Sequence, residues 1–297
     1  MLLLLPDFLL IVAGFALCRW TPLDRPVWEA AEKLVYFLLF PVLLFNSISR
    51  SSLSPGDTMA LMAGGLGVML SGIALAFALR WGPGVDAKTH ASGAQVAFRF
   101  NSFVALALAE RLYGAQGVAW IAMIVAVCVP VANVAAVYPL ARHGGHGYLR
   151  ELARNPLIVS TLAGLAANLA GLRLPEPAAI SLQKIGLAAL PLGLMAVGAG
   201  LRFGALKDAP GLATALLAIR HLILPLIALG IGHALALPTP QQIVLLAFAA
   251  MPTASSAYVL AVRMGGNGPF VAGLVTVSTL LGMIILPLWL GVLAAAT

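Results

Sequence analysis

A chain of 297 residues that is 61% hydrophobic and 9% charged, with 17 Lys and Arg against 10 Asp and Glu, cannot present a water-facing surface; an ordinary soluble domain carries about 25% charged residues. A mean hydropathy of +1.02 excludes a soluble enzyme, a disordered chain and a nucleic-acid-binding domain. The net charge of +7 does not reopen the last of these, because the charges sit in short loops between long apolar runs. The composition is that of an all-α integral membrane protein.

A spanning helix needs roughly 20 mostly apolar residues. Windows of that size predict ten spans, at 2–18, 31–49, 58–79, 91–110, 117–140, 156–172, 178–201, 211–235, 241–262 and 269–294. The first is read as a span and not as a leader, since no basic residues precede Leu2–Leu5 and no A-x-A site follows. It ends at Arg19–Pro26, where two prolines and three charges break the apolar pattern. Cys18 and Cys128 both lie in apolar runs and support neither a disulfide nor a metal site.

Lys and Arg set orientation. The odd connections hold Arg19, Arg25, Lys33, Arg80, Lys88, Arg142, Arg150, Arg154, Arg202, Lys207 and Arg263, whereas the even ones hold Arg50, Arg111, Arg173 and Lys184. Eleven against four puts the odd loops in the cytoplasm and both termini outside. The remaining two of the seventeen, Arg99 and Arg220, fall inside predicted spans.

The halves also resemble each other. Pro41-Val42-Leu43-Leu44-Phe45 parallels Pro191-Leu192-Gly193-Leu194-Met195 at an offset of 150, and Val104–Arg111 parallels Ser256–Arg263 at 152. Tyr138-Pro139-Leu140 near the end of span 5 matches Leu286-Pro287-Leu288 in span 10. An odd repeat of five spans inverts the second copy, an arrangement typical of secondary transporters, which bind substrate where paired helices are interrupted. Span 9 carries Met251-Pro252-Thr253-Ala254-Ser255-Ser256 and span 4 carries Phe98-Arg99-Phe100-Asn101-Ser102 in the corresponding place. The two predicted breaks coincide under the repeat.

These residues resemble the auxin efflux carrier family in its bacterial branch. The resemblance is carried by Leu34–Pro41, by Arg99-Phe100-Asn101 with Ala105–Leu108 and Tyr113-Gly114, and by Asn155–Ile158. In the second half it is carried by Pro252–Ala261, Met264–Asn267 and Val277–Leu281 leading to Leu286–Trp289. It implies ten helices in two inverted five-helix repeats, residues 1–140 and 155–297, joined by a short cytoplasmic linker at 141–154, with helices 4 and 9 broken and crossing. It further implies a scaffold of helices 1, 2, 6 and 7 through which two copies dimerise, and a transport domain of helices 3–5 and 8–10. Relatives move organic anions, auxin in plants and malonate or malate in bacteria. Plant members place a proline at the helix 4 crossing and a long loop between repeats; this chain has Phe100 beside Asn101 and a short linker, which turns the expectation away from auxin.

The expected substrate site is Arg99, Asn101, Ser102, Pro252, Thr253, Ser255 and Ser256, joined by Asn133 from span 5 and Arg220 from span 8. An intramembrane arginine faces a cavity or a partner, and its planar fork suits a carboxylate. Arg99 either anchors the anion or satisfies carbonyls at the break. Arg220 either completes the anion site or only neutralises carbonyls. The small polar residues either hydrogen-bond the substrate, helped by helix N-termini, or glue helices together. His221 reads as a packed, hydrogen-bonded side chain, Asp7 as interfacial, and His143 with His146 as too few ligands for a metal. No nucleophile–base pair or metal cluster lies within the spans, so no enzyme activity and no cofactor are expected.

The function expected is therefore a carrier in the bacterial inner membrane that moves a small carboxylate, malonate-like first, by alternating access. An exporter of aromatic monocarboxylates such as indole acids follows, and a passive anion channel or a sensor is the rival of another class. No Asp or Glu occurs at either crossing. Membrane potential alone drives export of an anion, whereas uptake needs a coupling ion, with proton and sodium both left open.

Overall fold

Inside a bilayer each backbone N–H and C=O must find its partner within the protein, and the runs of Leu, Ala, Val and Ile in this chain do so by forming helices. In a computed structural model, which describes residues 5–50, 55–82, 84–141, 156–172, 174–201, 206–207, 209–254 and 256–296, all regular structure is helical. Among the described residues, six helical stretches are long and apolar enough to cross a membrane: Arg25–Arg50, Thr58–Trp81, Ala87–Val137, Glu176–Ala199, Pro210–Ala234 and Gly268–Val292. Phe8–Trp20 and Thr239–Ala250 are shorter apolar helices.

In chain order the α-helices are α1 (Leu5–Trp20), α2 (Arg25–Leu34), α3 (Phe40–Arg50), α4 (Pro55–Ala78), α5 (Ala87–Gly93), α6 (Gln95–Phe98) and α7 (Ser102–Ala141). They continue as α8 (Pro156–Leu169), α9 (Glu176–Leu187), α10 (Ala189–Ala199), α11 (Pro210–Ala218), α12 (Leu224–Ala234), α13 (Thr239–Ala250), α14 (Ser256–Arg263) and α15 (Gly268–Ala296). Single π-turns, Val35–Leu39 and Ile219–Ile223, join α2 to α3 and α11 to α12. The long α7 turns at Tyr113 and Gly114, the latter at φ 54°, where the lack of a Cβ makes the left-handed conformation accessible. The windows do not register the two π-turns or the breaks at Ala94 and Ala188, because a sum of hydropathy over about 20 residues is blind to local backbone geometry.

The chain divides into two compact units. The first comprises Met1–Thr58, Phe103–Ala126 and Gly147–Gly200. Its helices pack through small residues, as membrane helices do when backbones approach closely. A Cβ on Gly14 of α1 would collide with the carbonyl of Met195 on α10, and one on Gly198 with the carbonyl of Ile11. Between α3 and α8 the analogous residue is Gly164, whose added Cβ would stand 3.1 Å from the Phe45 carbonyl and 3.2 Å from its Cα. Asn168 on α8 donates its amide to the carbonyls of Ile48 at 3.0 Å and Ser49 at 3.3 Å, in the last turn of α3. At the start of α2, Arg25 pairs with Glu29 at 3.3 Å and Glu32 at 3.0 Å, and the Trp28 indole donates to Leu23 O.

The second unit comprises Met59–Ser102, Val127–His146 and Leu201–Thr297. Gly64 and Gly67 let α4 approach Ile231 of α12, and Gly72 admits Leu224 and Phe98. Asp86 caps α5 by accepting the Thr89 N–H at 2.8 Å, and that bond holds its carboxyl below the ordinary carboxylate value. The loop before α15 is pinned to α5. Asn267 donates its backbone N–H to Ser92 Oγ at 2.8 Å and its amide to Thr89 Oγ1 at 3.3 Å, and its own oxygen caps Phe270 N–H.

Candidate functional site: two interrupted helices in the second unit

The first interruption follows Phe98. Arg99 adopts φ −74°, ψ 143°, extended backbone, and helix resumes only at Ser102. The second follows Ala250. Met251 precedes a proline and is extended as that neighbour requires (φ −57°, ψ 144°), while Pro252 has no N–H to continue the ladder. Helix resumes at Ser256. The two extended segments touch: the Asn101 N–H donates to the Pro252 carbonyl at 2.8 Å.

Every interruption leaves backbone groups to be satisfied, and the second one is served by two side chains. Arg220, 1% exposed on the π-turn, donates from Nε to Met251 O at 2.6 Å and from Nη2 to Phe248 O at 3.0 Å. Ser278 of α15 accepts the Thr253 N–H on its hydroxyl at 2.9 Å and lies 2.9 Å from His221 Nε2. The Pro252 ring lies against Gly282, where a Cβ would come within 3.2 Å of it, and the rings of Phe100 and Phe248 meet edge to face at 4.7 Å. Gln95, one turn before Arg99, donates its amide to Ala257 O at 3.2 Å and so ties α6 to the first turn of α14.

Arg99 has a different environment from Arg220. It is half-buried, and its Nη2 lies 3.0 Å from the hydroxyl of Ser256, an exposed residue at the N-terminus of α14. Ser102, half-buried, opens α7. Both helix starts direct N–H groups, and the positive end of a helix dipole, toward the interruptions. Among the described residues neither interruption contains an acidic side chain. The charged side chains at the two interruptions are thus Arg99 and Arg220, both cationic.

The structure thus brings together Arg99, Asn101, Ser102, Pro252, Thr253 and Ser256, with Arg220 packed beneath the second interruption on its backbone carbonyls. Ser255 lies outside the described residues, as do His143 and His146, and the side chain of Asp7 is likewise not described. Asn133 is half-buried on α7, and no hydrogen bond joins it to the interruptions among the described residues. Gln95 and Ser278 do not stand out from the sequence, since Ser278 lies between Thr276 and Thr279 and Gln95 follows Thr89, His90 and Ser92, small polar clusters that read equally as interhelical packing.

The chain is similar to known transport proteins. Residues 145–290 match the family described as membrane transport protein. The chain is 27% identical over 294 residues, 94% of each protein, to an "Uncharacterized transporter" of Methanothermobacter thermautotrophicus. It is 26% identical over 303 residues, 95% of this chain and 92% of the other, to a "Putative malonate transporter" of Rhizobium meliloti. The second half of the chain thus matches the membrane transport protein family, and over nearly its full length the chain is similar to proteins named as transporters.

Proposed function

We propose that this membrane transporter is a secondary carrier for a small organic anion, a malonate-like dicarboxylate first, and that the two interruptions of the second unit form its substrate site. One observation carries the reading: a half-buried guanidinium on non-helical backbone, Arg99 Nη2, stands 3.0 Å from the exposed Ser256 hydroxyl at a helix N-terminus. A guanidinium fork binds a carboxylate through two parallel hydrogen bonds. In this reading Asn101, Ser102, Thr253, Ser255 and Ser256 supply hydroxyl, amide and backbone donors for the second carboxylate, and Asn133 of α7 is a further candidate donor. Arg220 adds its charge from below while its donors hold the carbonyls of Phe248 and Met251. The printed name of the Rhizobium meliloti relative favours malonate over other carboxylates.

Alternating access by two inverted five-helix repeats, 1–140 and 155–297, is part of the same proposal. Gly14 meets Met195 and Gly164 meets Phe45, pairs related by 150 residues in both members. The interruptions at Arg99 and Met251 are related by 152. These nearly constant offsets support an internal repeat, and its odd number of spans supports inversion. Helices 1, 2, 6 and 7 then form the scaffold and the homodimer contact, helices 3–5 and 8–10 the transport domain. The chain sits in a bacterial inner membrane with both termini outside.

Purified protein in liposomes tests the reading. A carrier gives saturable uptake of labelled malonate and counterflow when unlabelled malonate is trapped inside. Uptake that neither saturates nor exchanges is a channel's, and no response to any member of a carboxylate panel, indole acids included, refutes an anion carrier.

A further inference from the structure

His221 lies beside Arg220 on the π-turn Ile219–Ile223 and is 1% exposed. Such turns displace one residue from the helical ladder and recur at functional positions. Its Nε2 lies 2.9 Å from Ser278 Oγ, and the same oxygen accepts the Thr253 backbone N–H at 2.9 Å. The imidazole is thus connected through one hydroxyl to the backbone of the second interruption. Its other nitrogen, Nδ1, is buried and has no hydrogen-bond partner among the described residues, and neither has Thr253 Oγ1.

Since Ser278 Oγ already accepts from Thr253, its own proton is available to a neutral His221 as acceptor. A doubly protonated ring must donate from Nε2, which turns the Ser278 proton toward another acceptor, and the uncommitted Thr253 Oγ1 belongs to the same interruption. Adding or removing one proton on the ring therefore reorders the hydrogen bonds that hold Thr253.

The surroundings contain few other groups that can change charge. The π-turn packs on α6, α11, α12, α13 and α15. Of these, α6, α11, α13 and α15 carry no charged or titratable side chain, and α12 carries only His233, exposed near its end. Asp86, at the start of α5, is the one acidic residue among the described residues of the unit. The fixed charges near the ring are cations: Arg220 next to it, and Arg99 just beyond α6. A third positive charge is unfavourable there until an anion arrives, so anion and proton favour each other's binding reciprocally.

We propose that His221 is a proton-binding site, that it takes up one proton with each anion, and that Ser278 transmits this to the interruption at Thr253, making the protein an anion–proton symporter. The proposal rests on the anion-carrier reading. One proton makes the crossing of a monocarboxylate electroneutral and lowers the charge carried with a dicarboxylate from two to one, so the opposing membrane potential is removed or halved without a sodium site.

The test uses the full chain in liposomes with the membrane potential clamped at zero by potassium and valinomycin. With pH 7 outside, pH 8 inside and labelled malonate, one proton per anion sustains up to about tenfold accumulation. The expected result is that accumulation in the wild type, its loss in His221→Asn with slower but saturable exchange remaining, and its retention in Ser278→Thr but not in Ser278→Ala. Wild-type counterflow without any response to the pH gradient overturns the coupling and leaves the carrier reading intact. Accumulation by His221→Asn equal to wild type overturns the assignment to this residue. Absence of both counterflow and accumulation refutes the anion carrier, and the coupling with it. Should His221→Asn not fold, the wild-type response and the two Ser278 variants decide.

Discussion

Arg220 and Met251 meet at 2.6 Å, the guanidinium Nε donating to a main-chain carbonyl that the helix has abandoned. Thirty-one residues apart in sequence, they show how an arginine stays buried among apolar helices: its charge is spread over carbonyl oxygens at an interrupted helix end, where the dipole is negative.

Removing that guanidinium should cost stability before it costs recognition. Arg220→Leu leaves the Met251 carbonyl buried and unpaired, at about 1–3 kcal/mol, and the Phe248 carbonyl with only the 3.4 Å bond from the Met251 N–H. Thermal unfolding of the purified protein should show a clear drop in midpoint, with Arg220→Lys intermediate because an ammonium has no planar fork. An unchanged midpoint in Arg220→Leu would show that these carbonyls find other partners.

Arg99 should behave oppositely. Arg99→Ala is expected to keep the wild-type unfolding midpoint and to raise the half-saturation concentration for malonate. A charged hydrogen bond to a carboxylate is worth about 2–3 kcal/mol, or about 30- to 150-fold. Uptake kinetics check this, and normal uptake by Arg99→Ala moves the substrate elsewhere.

The close helix approaches in the first unit make a prediction independent of transport. Alanine at Gly14 or Gly198 places a methyl group onto a backbone carbonyl, which cannot rotate away. Overpacking of this kind costs about 1–3 kcal/mol. Gly230 on α12 has open space around it, so Gly230→Ala should be neutral or slightly stabilising. Unfolding midpoints of the three variants separate packing from helix propensity.

Asp86 offers a pH test outside the apolar helices. Its cap on Thr89 lowers the carboxyl pKa below 3.8, so the contribution is present above that range and lost as pH falls through the lowered value. Hydrogen exchange of residues 87–93 should quicken in Asp86→Ala at neutral pH and change little in Asp86→Asn, whose amide oxygen still accepts from Thr89. Equal exchange in all three proteins would remove the cap from the account of α5.

Much of this was legible in the residues. Pro252 announces its own interruption, because a missing N–H and a constrained predecessor are local properties. The interruption at Arg99 was read only through its correspondence with Pro252, since Phe98–Asn101 contains no breaker. Arg99 and Arg220 looked alike in sequence, two arginines in apolar runs with two open roles each. Nothing local distinguishes an arginine whose donors face carbonyls thirty residues away from one that meets a serine hydroxyl 157 residues away.

Hydrophobicity by itself determined that the chain is helical and belongs in a membrane, because apolar runs of about 20 residues match a spanning helix, which satisfies its backbone groups within its own segment. It also located the apolar runs and the two arginines between their ends. Only the tertiary structure decided which orphaned backbone groups each polar side chain serves: Arg220 the Met251 carbonyl, Ser278 the Thr253 N–H, and His221 the Ser278 hydroxyl. The reason is physical. Spans follow from a sum over neighbours in sequence, whereas a hydrogen bond depends on a direction and about 3 Å of distance that packing alone supplies.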